Sequence, residues 1–272
     1  MLSYQHGYHA GNASDVLKHF CLFSILRSLL RKDTPFHIFD GNAGAGVYDL
    51  SSVESRKTGE ATDGIEKVLK AIECSPEEVP DTVKEWHTHL AQMSKKLPRG
   101  KVYPGSPAWT QSLMRNEDRA TLFELHPREV EKLKEWRGKD RRFQIHKQDS
   151  YQHLPNYLPP KERRGLILID PSYERLEEYE LVPALLKACL KKFSSGIYLV
   201  WYPVVARGRS ELLLKAIEEM KVPNTVHLRL NLRKESDTIG MNSTGIVILG
   251  SPPRLTGRFE EALLWFSRVL ER

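Results

Sequence analysis

The stretch that offers the clearest chemistry is an apolar run that ends on an acid. Gly165–Ile169 is small or apolar without a break, as expected for a strand buried on both faces of a parallel sheet. It is followed by Asp170, Pro171, Ser172 and Tyr173. Proline cannot continue a strand ladder, so the acid lies at the carboxyl end of the strand, where open α/β sheets bind ligands. A carboxylate, a carbonyl and a flat ring at this spacing could hold a planar, hydrogen-bonding substrate such as a nucleobase. The alternative is a turn proline followed by a packing tyrosine.

Three more acids stand at or just after short apolar runs that read as strands. They are Asp40 after Phe36–Phe39, Glu124 after Thr121–Phe123, and Asp149 shortly after Phe143–His146. An acid at the end of the second strand is well placed to accept hydrogen bonds from ribose hydroxyls. The joint pattern of four acids along one α/β array predicts a single nucleotide-like site.

A glycine loop follows the first of these acids. Gly41, Gly44 and Gly46 let the backbone pass close to a ligand. Their spacing, Gly-x-x-Gly-x-Gly, differs from the Gly-x-Gly-x-x-Gly of dinucleotide-binding enzymes, which disfavours a nicotinamide oxidoreductase. An acid followed four residues later by Gly-x-Gly resembles the first motif of S-adenosylmethionine-dependent methyltransferases. A tight structural turn is the other interpretation.

Alternating strands and helices must position these residues. Periodicity predicts seven strands in a mostly parallel sheet, the last three at 195–203, 225–232 and 244–249. The predicted helices cover 15–30, 128–138, 177–192, 208–220 and 255–270, and Asn12 or Ser14 could cap the first. Ser106, in the turn 103–107, is predicted to cap the helix that follows.

Two segments stand apart from this alternation. Residues 1–19 are polar and aromatic and predict a strap that packs over the site, whereas residues 51–100 are charged and helical and predict a helical insertion between the first and second strands. We interpret residues 1–272 as one domain that contains both.

Composition limits the partners and the compartment. The formal net charge is +6 and the pI is about 9.1, which favours a polyanionic partner without requiring one. Three widely spaced cysteines do not indicate a disulfide framework or a zinc site and favour a reducing cytosol. The apolar run Phe20–Leu30 is too short to span a bilayer and does not resemble a signal peptide, so we expect no membrane association.

Longer motifs add a resemblance to a known family. Asp170–Tyr173 resembles the Asp-Pro-Pro-Tyr motif of amino-methyltransferases, which methylate exocyclic amines of bases. Together with eight further stretches, the chain resembles the RlmJ family of bacterial 23S ribosomal RNA adenine-N6 methyltransferases, from residue 1 to about residue 250. The further stretches are 1–6, 9–12, 15–19, 43–46, 103–107, 124–127, 163–171 and 196–205.

The resemblance implies a Rossmann-like class I methyltransferase fold, S-adenosylmethionine as cofactor and no metal. It implies catalytic roles for Asp170, Pro171 and Tyr173, with Tyr173 stacking on the base. The implied substrate-binding residues are Tyr4, His6, Lys18 and Tyr173. The implied cofactor-binding residues are Lys18, His19, Asp40, Asn42, Gly44, Gly46, Ser106, Glu124, Asp149, Ser150 and Asp170.

Two positions depart from the family pattern. Asn42 replaces a histidine that is usual in the glycine loop, and Ser172 replaces the second proline of the motif. A proline at 172 would restrict Pro171 to extended conformations, which helps to aim the Pro171 carbonyl at a substrate amine. Serine loosens this restraint and adds a hydroxyl.

The expected partner is 23S ribosomal RNA before full ribosome assembly, and we expect a monomer in the cytoplasm. Basic side chains could hold RNA phosphates or form an ordinary solvated surface: Lys95, Lys96, Arg99, Lys101, Arg163, Arg164, Arg207 and Arg209. His6, His9 and His19 lack a metal-ligand spacing. The alternatives are a methyltransferase of DNA adenine or protein glutamine, and a non-catalytic RNA-binding protein on a methyltransferase fold.

Overall fold

A seven-stranded sheet organises the computed structural model, which describes residues 5–97, 100–205, 208–232 and 241–271. The strands of the molecule are β1 (His37–Asp40), β2 (Val47–Asp49), β3 (Val102–Pro104), β4 (Arg119–Phe123), β5 (Phe143–His146), β6 (Gly165–Ile169), β7 (Ile197–Val205), β8 (Val226–Asn231) and β9 (Met241–Leu249). The large sheet has the order β5-β4-β1-β6-β7-β9-β8. Five strands are parallel, and β9 runs antiparallel to both β7 and β8. The predicted α/β class, with a seven-stranded and mostly parallel sheet, is confirmed.

Burial explains the order of the strands. All five residues of β6 are buried between β1 and β7, in keeping with their unbroken apolar sequence. The edge strand β8 alternates buried and exposed residues, so only one of its faces is covered. The apolar strands lie in the centre, and the site can therefore form where they end.

Helices cover both faces of the sheet. They are α1 (Ala13–Leu29), α2 (Val53–Thr58), α3 (Lys67–Cys74), α4 (Asp81–Ser94), α5 (Ser106–Leu113), α6 (Pro127–Arg137), α7 (Ser150–His153), α8 (Glu178–Lys192), α9 (Arg209–Glu218) and α10 (Thr256–Leu270). Side chains of β6 alternate between two apolar clusters, Leu166 and Leu168 facing one and Ile167 and Ile169 the other. The first cluster contains α1, α4, α5 and α10, and the second contains α8 and α9.

Helix α1 is buried on nearly all sides. It packs against α4, α5 and α10 and against strands β7 and β9. A helix with so little solvent contact must be apolar around most of its circumference, and the few polar residues it buries need partners. Asn12 caps it, because its side chain accepts a hydrogen bond from the N–H of Asp15.

The predicted helical segment lies between β2 and β3. It holds α2, α3 and α4, and a π-helical turn at Thr62–Glu66 precedes α3. At its base, β2 and β3 form an antiparallel two-stranded ribbon that the sequence reading missed. In the described parts of the chain, no helix is long and apolar enough to cross a bilayer.

The prediction that Ser106 caps α5 is wrong. Gly105 occupies the N-cap position, and Ser106 is the first helical residue. Its hydroxyl instead donates a hydrogen bond to Asp40 Oδ2 at 2.7 Å. The serine thus connects a helix start to a strand end.

Candidate functional site

A cavity opens to solvent at the carboxyl ends of the parallel strands. The strand order places β1 between β4 and β6, so the residues that follow these strands meet at one edge of the sheet. The cavity is lined by His6, Lys18, His19, Gly41, Asn42, Ala43, Gly44, Tyr48, Gly105, Ser106, Glu124, Leu125, His126, Glu129, Gln148, Asp149, Ser150, Tyr151, Asp170, Ser172, Glu174, Arg175 and Glu178.

Most residues predicted from the sequence line this cavity. They are His6, Lys18, His19, Asn42, Gly44, Ser106, Glu124, Asp149, Ser150 and Asp170. Asp40, Gly46, Pro171 and Tyr173 are not among the lining residues. Tyr4 lies outside the described residues.

A buried charge network reaches the cavity through Asp170. Lys18 Nζ lies between two carboxylates and donates to Asp15 Oδ1 at 2.7 Å and to Asp170 Oδ2. Asp15 Oδ2 in turn accepts from His6 Nε2 and from the N–H of Gly11, both at 2.9 Å. The side chain of Lys18 is 5% exposed and that of Asp15 is 1% exposed. Helix α1 therefore presents a cation to the acid at the end of β6.

Two acids share this one ammonium unequally. Burial would raise the pKa of Asp15, but the charges of His6 and Lys18 hold that pKa well below its usual range. Burial raises the pKa of Asp170, and the opposing effects of Lys18 and His6 do not fully cancel this rise. Burial would lower the pKa of Lys18, yet Asp15 and Asp170 together raise it. Asp15 is thus the firm counter-ion, and Asp170 is the acid whose charge is more easily changed.

The Asp40 carboxylate accepts hydrogen bonds from two groups of the protein itself. Its Oδ2 accepts from Ser106 and its Oδ1 from the N–H of Asn42 at 3.1 Å, and the residue is 1% exposed. Burial raises the pKa of Asp40 to about 6, against the two hydrogen bonds, which favour the charged form. The carboxylate fixes the start of the glycine loop. A direct contact with the cofactor stays a prediction.

Glu124 joins the glycine loop to β4. Its two oxygens accept from the N–H of Gly44 at 2.8 Å and from the N–H of His126 at 2.7 Å. Gly44 has φ +62°, and a Cβ there would lie 2.0 Å from the hydroxyl of Tyr48, so only glycine fits. Burial raises the pKa of Glu124 above its usual range. A carboxylate oxygen can accept two hydrogen bonds, so each oxygen can still accept from a ligand hydroxyl.

Asp149 and Ser150 lie where the chain turns from β5 into α7. Asp149 caps this short helix by accepting from the N–H of Tyr151 at 2.9 Å, and Ser150 is buried. Both line the cavity. Their contact with a cofactor adenine stays a prediction.

Tyr173 points away from the cavity. It is 6% exposed, its hydroxyl donates to the carbonyl of Trp201 at 3.0 Å, and its ring lies 4.7 Å from that of Tyr179. Its backbone has φ +53°, which is uncommon for a bulky residue. Stacking of this ring on a base stays a prediction.

The three N-terminal histidines have separate partners. His6 contacts Asp15, His9 Nδ1 hydrogen-bonds Glu60 Oε1 at 2.8 Å, and His19 Nδ1 hydrogen-bonds the hydroxyl of Tyr103 at 2.9 Å. Burial lowers the pKa of His19 to about 3, so its imidazole is neutral near pH 7.

Sequence reasoning missed several acids of the site. Asp15 had a detectable signal, since it lies three residues before Lys18 on one helix face. Glu129 and Glu178 line the cavity from the first turns of α6 and α8, and Glu129 Oε2 is buried with no hydrogen-bond partner among the described residues. Helix starts after strand-end acids were the usable signal for these two.

One predicted phosphate-binding residue has a structural role. Arg164 donates to the main-chain carbonyls of Thr34, at 2.7 Å, and of Leu29. It therefore ties the start of β6 to the end of α1. Arg99 and Arg207 lie outside the described residues.

Comparisons with known proteins agree with this architecture. A family model described as "Ribosomal RNA large subunit methyltransferase D, RlmJ" matches residues 33–272. The chain is 38% identical to Ribosomal RNA large subunit methyltransferase J of Haemophilus influenzae, over 99% of this chain and 94% of that protein. It is 36% identical to the protein of the same name from Escherichia coli, again over 99% and 94%. A crystal structure of a Legionella pneumophila protein is similar with a TM-score of 0.85 and 32% identity, covering 96% of this chain and 94% of that one.

Proposed function

Because the chain belongs to the RlmJ family of ribosomal RNA large-subunit methyltransferases, we propose that it methylates N6 of an adenine in 23S ribosomal RNA with S-adenosylmethionine. The fold is accordingly the Rossmann-like class I methyltransferase fold. The observation that carries the proposal is the position of Asp170. It ends the central strand β6, lines the cavity and is balanced by Lys18.

The lining residues suit a cationic nucleoside cofactor. Six carboxyl side chains line the cavity, against the two permanently cationic side chains of Lys18 and Arg175, although the chain as a whole has a net charge of +6. The six are Glu124, Glu129, Asp149, Asp170, Glu174 and Glu178. S-adenosylmethionine carries a sulfonium and an ammonium against one carboxylate, so an acidic cavity attracts it. The unpaired Oε2 of Glu129 and the remaining acceptor capacity of Glu124 suit its ribose hydroxyls.

The reaction needs a better nucleophile and a stabilised product. The N6 lone pair of adenine is delocalised into the ring, so N6 attacks poorly by itself. When bound, the cofactor supplies a methyl group already activated by its positive sulfur. Transfer would join the methyl carbon to N6 and break its bond to sulfur, and sulfur would keep the electron pair and leave in S-adenosylhomocysteine. Positive charge would develop on N6, which would then lose one of its two protons to water to give neutral N6-methyladenine.

Asp170 is suited to stabilise that charge. Lys18 occupies Oδ2, and Oδ1 is the second acceptor of the same carboxylate. A hydrogen bond from N6 to Asp170, together with one to the Pro171 carbonyl, favours a more tetrahedral nitrogen and stabilises its positive charge. The protein also aligns nitrogen, methyl carbon and sulfur, which is the other main contribution to the rate.

The target adenine must be unpaired or flipped out to enter a cavity at a sheet edge. We therefore propose that the substrate is RNA before full assembly in the cytoplasm, when the target base is accessible. Comparing deproteinised 23S RNA with assembled large subunits as substrates tests this point.

The experiment that tests the function is a transfer assay. Purified protein and labelled S-adenosylmethionine are mixed with deproteinised 23S RNA from a strain that lacks this methylation, with Asp170→Ala alongside. We expect label in N6-methyladenine that is lost in the variant, and no label in 16S RNA. Cofactor binding without transfer would instead favour a binding protein.

A further inference from the structure

The helical insertion touches the N-terminal segment at the residues that precede helix α1. Glu60, between α2 and the π-helical turn, accepts from Asn12 Nδ2 at 2.9 Å on one oxygen and from His9 Nδ1 at 2.8 Å on the other. Asn12 is also the cap of α1, with its Oδ1 accepting from the N–H of Asp15. One amide side chain thus connects the insertion with the helix that carries Asp15 and Lys18.

The geometry gives Glu60 a definite effect on this cap. An asparagine amide can turn by 180° and exchange its oxygen and nitrogen positions. Only one orientation directs the oxygen to the N–H of Asp15. A carboxylate accepts hydrogen bonds and cannot donate them, so Glu60 favours the orientation in which Asn12 Nδ2 faces it. Glu60 therefore selects the amide orientation that caps α1.

The backbone of the insertion docks at the same place. The N–H of Ile65 donates to the carbonyl of Gly11 at 2.8 Å, and a Cβ at Gly64 would lie 2.2 Å from that carbonyl oxygen. The N–H of Gly11 in turn donates to Asp15 Oδ2. Gly64 has non-helical angles, φ −107° and ψ −106°, inside the π-helical turn. Such turns distort a helix locally, and here the distortion brings Ile65 to Gly11.

We propose that Glu60 is a positioning residue for methyl transfer, which holds the start of α1 so that Lys18 meets Asp170. The connection runs from Glu60 through Asn12 to Asp15, and from Asp15 through Lys18 to the acid at the end of β6. This inference rests on the proposed function, because it assigns the helical insertion a part in that reaction. The side chain of Glu60 is 36% exposed and that of its partner His9 is 37% exposed, so we expect a moderate effect rather than loss of the fold.

The test compares Glu60→Ala, Glu60→Gln and the matched control Glu66→Ala. Glu66 lies in the same insertion with a side-chain exposure of 39%, and its carboxylate pairs with Lys101 at 3.2 Å and accepts from the Thr62 hydroxyl at 3.3 Å. Glu60→Ala removes the hydrogen bond that Asn12 Nδ2 donates to Glu60, so we expect kcat to fall about 3- to 30-fold. The dissociation constant of S-adenosylhomocysteine should stay near the wild-type value, and the melting temperature should fall by no more than about 2–8 °C. Glutamine can either accept from or donate to Asn12 and therefore no longer fixes its amide orientation, so Glu60→Gln should lower kcat to a value between those of Glu60→Ala and the wild type. Glu66→Ala should retain the wild-type kcat.

Two kinetic results would overturn the inference. One is equal kcat for Glu60→Ala and Glu66→Ala, measured per folded molecule. The other is a kcat of Glu60→Gln below that of Glu60→Ala, since glutamine can still accept from Asn12 and alanine cannot.

A readout without catalysis separates this inference from the proposed function. The N–H of Asp15 is protected by Asn12 Oδ1, so its hydrogen exchange should be faster in Glu60→Ala and unchanged in Glu66→Ala. If wild-type protein transfers no methyl group but this exchange responds, the proposed function fails and the positioning by Glu60 stands. If the exchange does not respond, the positioning by Glu60 is refuted whatever the activity.

Discussion

Asp40 and Asp170 end two neighbouring parallel strands, yet the protein treats the two carboxylates differently. Asp40 receives neutral donors, the Ser106 hydroxyl and the Asn42 N–H, and does not line the cavity. Asp170 receives the ammonium of Lys18 and lines the cavity. A strand-end acid thus becomes either part of the scaffold or part of the site according to the partner that the adjoining helix supplies. Helix α5 supplies a hydroxyl and helix α1 supplies a cation.

We expect the largest effect from a variant that removes the cation of Lys18. Lys18→Met leaves Asp170 buried without its counter-ion and Asp15 with His6 as its remaining charged partner, which should lower the free energy of unfolding by about 3–5 kcal/mol. Urea denaturation at pH 7 measures the change. The control is Lys84→Met, whose exposed ion pair with Asp81 should contribute less than about 1 kcal/mol. A loss for Lys18→Met no larger than the control would mean that the network does not depend on this charge.

The next largest effect concerns the two acids themselves. Asp170→Asn removes the charge that stabilises the positive nitrogen, so kcat for methyl transfer should fall about 10²- to 10³-fold, a larger change than the loss of cofactor affinity. Asp40→Asn should lower kcat by less than about tenfold, because Asp40 does not line the cavity and only holds the start of the glycine loop through the N–H of Asn42. Single-turnover transfer and calorimetric cofactor binding measure both quantities. Equal losses in the two variants would show that the division of roles is mistaken.

The pH dependence of the unfolding free energy tests the burial of Asp40, which raises its pKa. Its folded-state pKa of about 6 lies above that of an unfolded aspartate, so the folded protein binds the proton more tightly. The contribution of Asp40 to stability is therefore fully present below about pH 4 and is lost as the pH rises to about 6, by at most about 3 kcal/mol. Asp40→Asn does not titrate at this position. The difference in unfolding free energy between wild type and variant should shift in favour of the variant between pH 4 and pH 7. A difference that is independent of pH would contradict the raised pKa.

The smallest expected effect is at Ser172, next to the Pro171 carbonyl. Ser172→Pro restricts Pro171 to extended conformations and should raise kcat about two- to fivefold if the loop is otherwise compatible. Ser172→Ala removes the hydroxyl, which accepts from the N–H of Glu174 at 3.4 Å, without restricting Pro171. A gain in the proline variant alone attributes the effect to the backbone. A gain in both variants would attribute it to loss of the hydroxyl.

The sequence predicted the parts of the site that follow from strand ends. Asp170 was found because an apolar strand stops on a proline, and Glu124 because a second strand stops on an acid. Both signals come from rules that act over a few residues. Charge and periodicity predicted helices over 51–100, and α2, α3 and α4 lie in that segment. Their grouping as an insertion within one domain stays a prediction.

The rest depends on contacts between distant segments. The spacing of Asp15 and Lys18 was visible, but their burial required packing of α1 against the sheet. Tyr173 has a positive φ angle, which is uncommon for a bulky residue. No local sequence pattern predicts this angle, so the direction of the side chain could not be predicted either. The ribbon of β2 and β3 escaped detection because each strand has three residues, and pairing joins positions on either side of the insertion. The cap role of Ser106 was mispredicted because Asp40, far away in the chain, takes its hydroxyl.

The ribbon at the base of the insertion limits where this segment can vary in length. Since β2 and β3 pair with each other, the chain enters and leaves the insertion at adjacent points. The turns between its helices can lengthen without moving the sheet, and each doubling of a flexible loop adds only about 0.6 kcal/mol of closure entropy. The helices themselves do not have this freedom, because Val83 and Trp86 of α4 are buried in the same apolar cluster as α1 and α10. Deleting them would leave two adjacent chain ends but would expose that cluster to water.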